Sequence, residues 1–224
     1  MTAAAGTRVA EYRTRGIDCD SEGVTLVTMA TESQVNDCPR IRRWTRREYE
    51  RLVELGFFEG ERLELLDGML AVREPQGSRH NASIRRVVDT LRRALDDAWQ
   101  IDSQFAIALD DDSEPEPDVA VVPFDPRRYV DAHPSAPRLV IEVAESSYRI
   151  DHTYKSSLYA RAGVPEYWIV DVARDRLEVH RAPEAWSDAA VGWRYGSVAT
   201  LDRSATVTPL LAPGVTIAVA DLLP

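Results

Sequence analysis

Two acids and one lysine carry the chemistry that this chain's residue types and spacing suggest. Asp118 follows Pro117 and opens an apolar run, so its carboxylate belongs at a strand end, where a rigid scaffold meets solvent. Glu142 is flanked by Leu139, Val140, Ile141 and Val143 in a run that otherwise reads as core. A carboxylate buried there without a partner costs several kcal/mol or shifts its pKa, so Glu142 needs a cation. Neighbouring strands would bring Asp118 and Glu142 together, and two close carboxylates repel unless a proton or metal sits between them. Oxygen-only ligands favour Mg²⁺ or Mn²⁺ over zinc. Lys155 is the sole lysine among 27 basic residues. Its ammonium is a compact point charge with a tunable pKa, whereas guanidinium is a broad fork that never loses its proton. A genome biased toward arginine codons would also leave one lysine behind; the acids upstream favour the chemical reading.

The elements that must position these residues follow from periodicity. Thr45 and Glu48 make a capping box, with Trp44 and Tyr49 placed as a hydrophobic staple and Gly56 as the stop, which predicts a helix over 46–55. Strands at 62–66 and 69–73 flank Asp67-Gly68, a two-residue hairpin turn. In the first of them Glu64 lies on the face opposite Leu63 and Leu65, aimed at solvent or into a cleft. Ile84, Val87, Val88, Leu91 and Leu95 recur at helical spacing, predicting a helix over 80–97. Strands are expected at 104–109, 118–122 and 139–144, the last two reading as central strands covered on both faces. Asp151 and Thr153 offer caps for a helix to Arg161, on which Lys155 lies in the first turn. A strand pair at 167–171 and 176–180, then short strands from Trp193 and a helical turn near Leu222, complete the order. The fold class is α/β (α+β): a mixed central sheet flanked by helices.

Residues 1–38 show no sustained period and read as a disordered tail, leaving 39–224 as a single domain. Cys19 and Cys38 lack metal-ligand spacing and are expected to be free thiols. No apolar run approaches the roughly 20 residues that span a bilayer, and Val24–Val27 is too short for a signal peptide, so a cytoplasmic location is expected. A net charge of −10 argues against nonspecific coating of nucleic acid. The arginines at 40–51 and at 85–93 are expected on solvated helix faces, as is His80 near a helix start, and the acidic stretch 110–116 is expected as a solvated loop.

The motifs Glu-Leu-Leu-Asp-Gly (64–68), Pro-Gln-Gly-Ser-Arg-His (75–80), Ser-Glu-Pro-Glu-Pro-Asp (113–118), Val-Ile-Glu-Val-Ala-Glu-Ser-Ser (140–147), Asp151 to Lys155 and Tyr159 to Asp171 together resemble the bacterial Uma-two family. That family is grouped with the PD-(D/E)XK, or restriction-endonuclease-like, nucleases. The resemblance spans roughly residues 45–223 and implies a restriction-endonuclease-like core. Carried over by position, it makes Asp118 a metal-binding aspartate, Glu142 the second acidic ligand, Glu64 the upstream glutamate and the Val143 carbonyl a further ligand. One position departs: the superfamily lysine should stand at 144, where this chain has Ala144. Lys155 resembles the migrated lysine that related sequences place on the following helix.

The function expected from this is a Mg²⁺- or Mn²⁺-dependent phosphodiesterase acting on DNA as an endonuclease. Asp118, Glu142 and Glu64 would hold metal while Lys155 orients the attacking water, and a homodimer would cut both strands. The alternative is a catalytically weak or inactive relative serving as a binding or regulatory module, which Ala144 and the net charge motivate. A glycosidase acid–base pair of Asp118 and Glu142 leaves Lys155 without a role and ranks last.

Overall fold

The structure, a computed structural model, describes residues 41–124, 127 and 129–224. The proposed tail, both cysteines and Arg40 lie outside the described residues. Ile41–Pro224 forms one compact unit.

Local signals set its entrance. Thr45 caps α1 (Arg46–Glu54) with both halves of a capping box in place. The strands β1 (Leu63–Leu66) and β2 (Met69–Val72) pair around Asp67 and Gly68, both at positive φ (49° and 74°) as a type I′ turn requires. A Cβ on Gly68 would also lie 2.6 Å from the Arg43 Cβ, so glycine is demanded twice over. This turn fixes the register Leu66↔Met69 and hence Glu64↔Ala71.

Helix α2 (Ser78–Ala94) then crosses one face of a six-stranded sheet ordered β3-β4-β5-β6-β7-β8. Its strands are β3 (Trp99–Asp102), β4 (Val119–Pro123), β5 (Leu139–Ala144), β6 (Glu166–Asp171), β7 (Arg176–Ala185) and β8 (Trp193–Asp202). Ile84, Val87 and Leu91 of α2 pack on Val119, Val121, Ile141, Val143 and Trp168. As expected for central strands, β4 is buried up to Pro123 and β5 along its whole length, and β6 is buried throughout as well. All neighbours pair antiparallel except β5 and β6. A parallel pair needs a crossover connection, and here it consists of α3 (Tyr148–Ile150), a π-helical turn (Asp151–Lys155) and α4 (Ser156–Arg161). The crossover covers the second face, where Tyr159 and Ala160 pack on Val140, Ala144, Tyr167 and Ile169. The small pair β9 (Thr206–Val207) and β10 (Ile217–Ala218) and a 3-10 turn (Val219–Asp221) close the chain.

Four expectations are corrected. The strand predicted at 104–109 is an irregular connection, because Gln104 takes a left-handed φ of 58° and the strand forms earlier, at β3. The pair β7–β8 is a hairpin of ten-residue strands rather than short ones. The acidic stretch is built into the fold: Glu114 pairs with Leu65 through backbone hydrogen bonds, and Ser113 and Glu114 are buried. His80 is buried as well, whereas Arg85, Arg86, Arg92 and Arg93 are exposed as expected. No helix among the described residues is long and apolar enough to cross a membrane.

Candidate active site

The antiparallel register Val119↔Ile141, extended by one residue, sets Asp118 opposite Glu142 on adjacent strands. They meet through the backbone. The Asp118 N–H donates to Glu142 Oε2 (3.3 Å), and the Val143 N–H donates to Asp118 Oδ2 (2.8 Å). The cation that Glu142 requires is Lys155, which arrives from the π-helical turn with Nζ 3.1 Å from Glu142 Oε1 and 3.3 Å from Glu64 Oε1. Tyr159, one turn on, donates its hydroxyl to the same Glu142 oxygen at 2.8 Å. Glu64 turns inward rather than to solvent, and its second oxygen accepts the Glu116 N–H (3.1 Å).

The ammonium therefore stands between Glu64 and Glu142, while the Asp118 carboxylate turns the other way. Its Oδ1 faces His80 Nε2 (3.3 Å), Gln76 Nε2 (3.3 Å) and Arg73 Nη2 (3.4 Å). A cleft of about 350 Å³ opens over these groups, lined among others by Glu64, Arg73, Gln76, Asp118, Glu142, Asp151 and Lys155. Ala144 shares the Glu142 face but is wholly buried among Tyr159, Tyr167 and Ile169. The lysine thus comes from the helix that covers the strand.

Asp151 does not cap the start of a helix, because the crossover begins upstream at Tyr148; it follows the last residue of α3 instead. It is buried in the π-helical turn, where Ser147 Oγ donates to its Oδ2 (2.5 Å). Its signal was present in the sequence as an Asp–Lys pair at i,i+4, two positions that share a helix face. Arg73 was equally legible: two residues beyond Ala71, it shares the face of Glu64 in the hairpin. His80 and Gln76 lie in the 75–80 motif, and a histidine opening a helix after a Gly-Ser loop could face a cleft, but their pairing with Asp118 is set only where α2 meets the sheet end in the tertiary fold.

Protonation follows from the crowding. Four buried carboxyl groups, Glu64, Asp118, Glu142 and Asp151, surround one ammonium and one guanidinium. Burial pushes the Glu142 carboxyl up to about 8; Lys155 opposes this, but Asp118, Asp151 and Glu64 reinforce it. Burial also raises Asp151, to about 6, against the pull of Lys155. Burial works against the Lys155 ammonium too, yet Glu142, Glu64, Asp151 and Asp118 outweigh it and hold the proton firmly. At Asp118 burial is overcome by the hydrogen bond and charge of His80, the Val143 N–H and Lys155, so this carboxylate sits below its ordinary range.

Comparison with known proteins gives the family and the fold. The profile of the family Uma2, described as "Putative restriction endonuclease", matches residues 46–220. A crystal structure of a putative nuclease belonging to DUF820, from Anabaena variabilis, superposes with a TM-score of 0.55 at 16% identity, covering 71% of this chain and 88% of that one. That likeness establishes the fold. No curated protein matches the chain.

Proposed function

The chain belongs to the Uma2 family of "Putative restriction endonuclease" proteins, and on that premise we propose that it is a Mg²⁺- or Mn²⁺-dependent DNA endonuclease whose single domain spans residues 39–224. The observation that carries this reading is the joining of Asp118 and Glu142 on adjacent strands with the sole lysine delivered between Glu142 and Glu64. By type the donors suit a hard divalent cation, although Lys155 stands between Glu64 and Glu142 and their carboxylates do not converge with Asp118 on one point. Glu64, Asp118, Glu142 and the Val143 carbonyl are all oxygen ligands, and the buried carboxyl groups outnumber the permanent cations around them. When bound, Mg²⁺ or Mn²⁺ would polarise a phosphate oxygen and lower the pKa of the attacking water.

The protein's own groups do the rest. Lys155 orients the water and offsets charge that develops on the phosphate, and Tyr159 holds Glu142 so that the ammonium keeps its place. Arg73, only 6% exposed and aimed at the same cleft, adds a second fixed positive charge facing an incoming phosphodiester. Asp151 anchors the lysine turn from below through Ser147 and through Tyr167, whose hydroxyl donates to the Asp151 carbonyl (3.1 Å). One site per chain implies a twofold dimer for cutting both strands.

The test is plasmid cleavage by the wild type and Lys155→Arg, with Mg²⁺, with Mn²⁺ and with chelator. We expect metal-dependent nicking, and a fall of about a hundredfold or more in the variant, comparable with losing one preorganised electrostatic contact. Because Lys155 is buried, the larger guanidinium should also cost about 1–3 kcal/mol of stability. Wild-type cutting by Lys155→Arg would make the lysine incidental. A protein that binds DNA and cuts none under any metal would instead be the binding module.

A further inference from the structure

A second group of ligating side chains lies in the same sheet row but away from the cleft. Glu142 on β5 pairs with Ile169 on β6, and Ile169 with Glu178 on β7, so Glu178 stands two strands, about 10 Å, from Glu142 on the same face. Beside it is His180, two residues along β7, and above it His152 of the π-helical turn. Among the described residues these three are the group whose ligating atoms all lie within 4.8 Å of one another. Glu178 Oε2 is 3.5 Å from Nε2 of both histidines.

Two of the converging atoms, Glu178 Oε2 and His180 Nε2, are buried facing each other at 3.5 Å with no shorter hydrogen bond to satisfy them, on residues only 3% and 2% exposed. Their far sides are anchored. Glu178 Oε1 accepts from the Tyr148 hydroxyl and from Arg176 Nη2, each at 2.8 Å, and His180 Nδ1 lies 3.4 Å from Ser156 Oγ. In the tautomer that donates Nδ1–H to Ser156, Nε2 turns a lone pair toward a carboxylate oxygen, an opposition that a cation between them relieves. Such outer partners are what orient metal-binding histidines and carboxylates. Tetrahedral zinc, with bonds of about 2.0–2.1 Å, sets its ligand atoms about 3.3–3.4 Å apart, close to the two 3.5 Å separations found here. Two imidazoles and a carboxylate suit Zn²⁺, in contrast to the oxygen-only donors of the cleft. The His152 side chain is 41% exposed, which provides a way in.

We propose that His152, Glu178 and His180 form a zinc site, separate from the cleft, that clamps the π-helical turn to β7 and thereby positions Lys155. His152 belongs to the turn that also carries Asp151 and Lys155, while the other two ligands belong to the sheet. An ion there ties the lysine's backbone to the strand scaffold. The inference stands independently of DNA cleavage.

Chelator-stripped full-length protein titrated with Co²⁺, read by its visible absorption, and then with Zn²⁺ tests it without any assay of activity. Expected are about one equivalent of Co²⁺ with the intense band of tetrahedral coordination, and its displacement by Zn²⁺. His152→Ala, at a partly exposed position, should weaken binding by more than the roughly hundredfold that losing an outer partner costs. His180→Gln should do the same, and Glu142→Gln should leave the band intact. Zinc should also slow hydrogen exchange of the 151–155 amides in the wild type and not in His152→Ala. No band, a band that survives His152→Ala, or one that Glu142→Gln abolishes would overturn the site, the last by relocating the ion to the cleft.

Discussion

Two glutamates buried on adjacent strands behave oppositely. Glu166 on β6 is wholly buried, yet its Oε1 accepts from Trp168 Nε1 (3.0 Å) and from Nε and Nη2 of Arg181 (2.8 and 2.5 Å), and its Oε2 accepts the Leu210 N–H (2.7 Å). One acid has one dedicated guanidinium. Glu142 on β5 shares a single ammonium with Glu64 and has Asp118 and Asp151 close by, and its carboxyl rises to about 8. The difference separates a carboxylate that holds a fold together from one kept short of positive charge. A saturated acid has nothing left to offer a ligand, whereas a crowded one gains from any cation that enters.

Neutralising each glutamate is the strongest way to break this contrast. Glu142→Gln should lower DNA cleavage by about a hundredfold or more and abolish any Mn²⁺-induced rise in melting temperature. Without metal, its stability should change little near neutral pH, where a carboxyl raised to about 8 already keeps its proton, and should exceed the wild type's above pH 8, where Glu142 would ionise among the other acids. Glu166→Gln should do the reverse, costing about 1–3 kcal/mol through the unpaired Arg181 while the folded fraction cuts normally. Paired melting curves and plasmid assays decide it; equal behaviour of the two variants would erase the distinction.

Glu114 sharpens the comparison from a third position. It is buried, its Oε2 has no hydrogen-bond partner among the described residues, and His133 Nε2 lies 3.8 Å from its Oε1. Burial, followed by the hydrogen bond and charge of Glu50, raises its carboxyl to about 8. The folded protein then keeps a proton that the unfolded chain releases near pH 4.3. The contribution of Glu114 to stability should therefore fall as pH rises from about 4.5 to 8, by at most about 1.4 kcal/mol per unit, on top of the same-signed contributions of Glu142 and Asp151. Glu114→Gln should flatten that slope and stabilise the protein at pH 8. Denaturant melts of both proteins across this window provide the check, and identical slopes would show that Glu114 is ionised in the fold.

The smallest effect is a control at the domain's entrance. Thr45→Ala removes the side-chain cap of α1 and should cost about 1 kcal/mol without changing cleavage per folded molecule. A loss of cutting beyond the change in folded fraction would tie α1 to the site.

Much of the scaffold was legible because its signals are local. The capping box of α1, the Asp67-Gly68 turn, the period of α2 and the apolar runs of β4 and β5 each depend on residues within a few positions of one another. The turn even dictated that Glu64 and Arg73 share a face. The strand misplaced at 104–109 shows the limit: an apolar run does not reveal the left-handed Gln104 that ends the real strand at Asp102. By itself the sequence tied Asp118 and Glu142 to central strands, while missing Glu166, and set one lysine apart from 26 arginines. Tertiary structure alone decided that β5 and β6 run parallel, that their crossover lies over Glu142, and that α2 presents His80 to Asp118. Those contacts join residues far apart in the chain, so no local period encodes them. Protonation is decided there as well, because it depends on burial and on charges that only folding brings within a few ångströms.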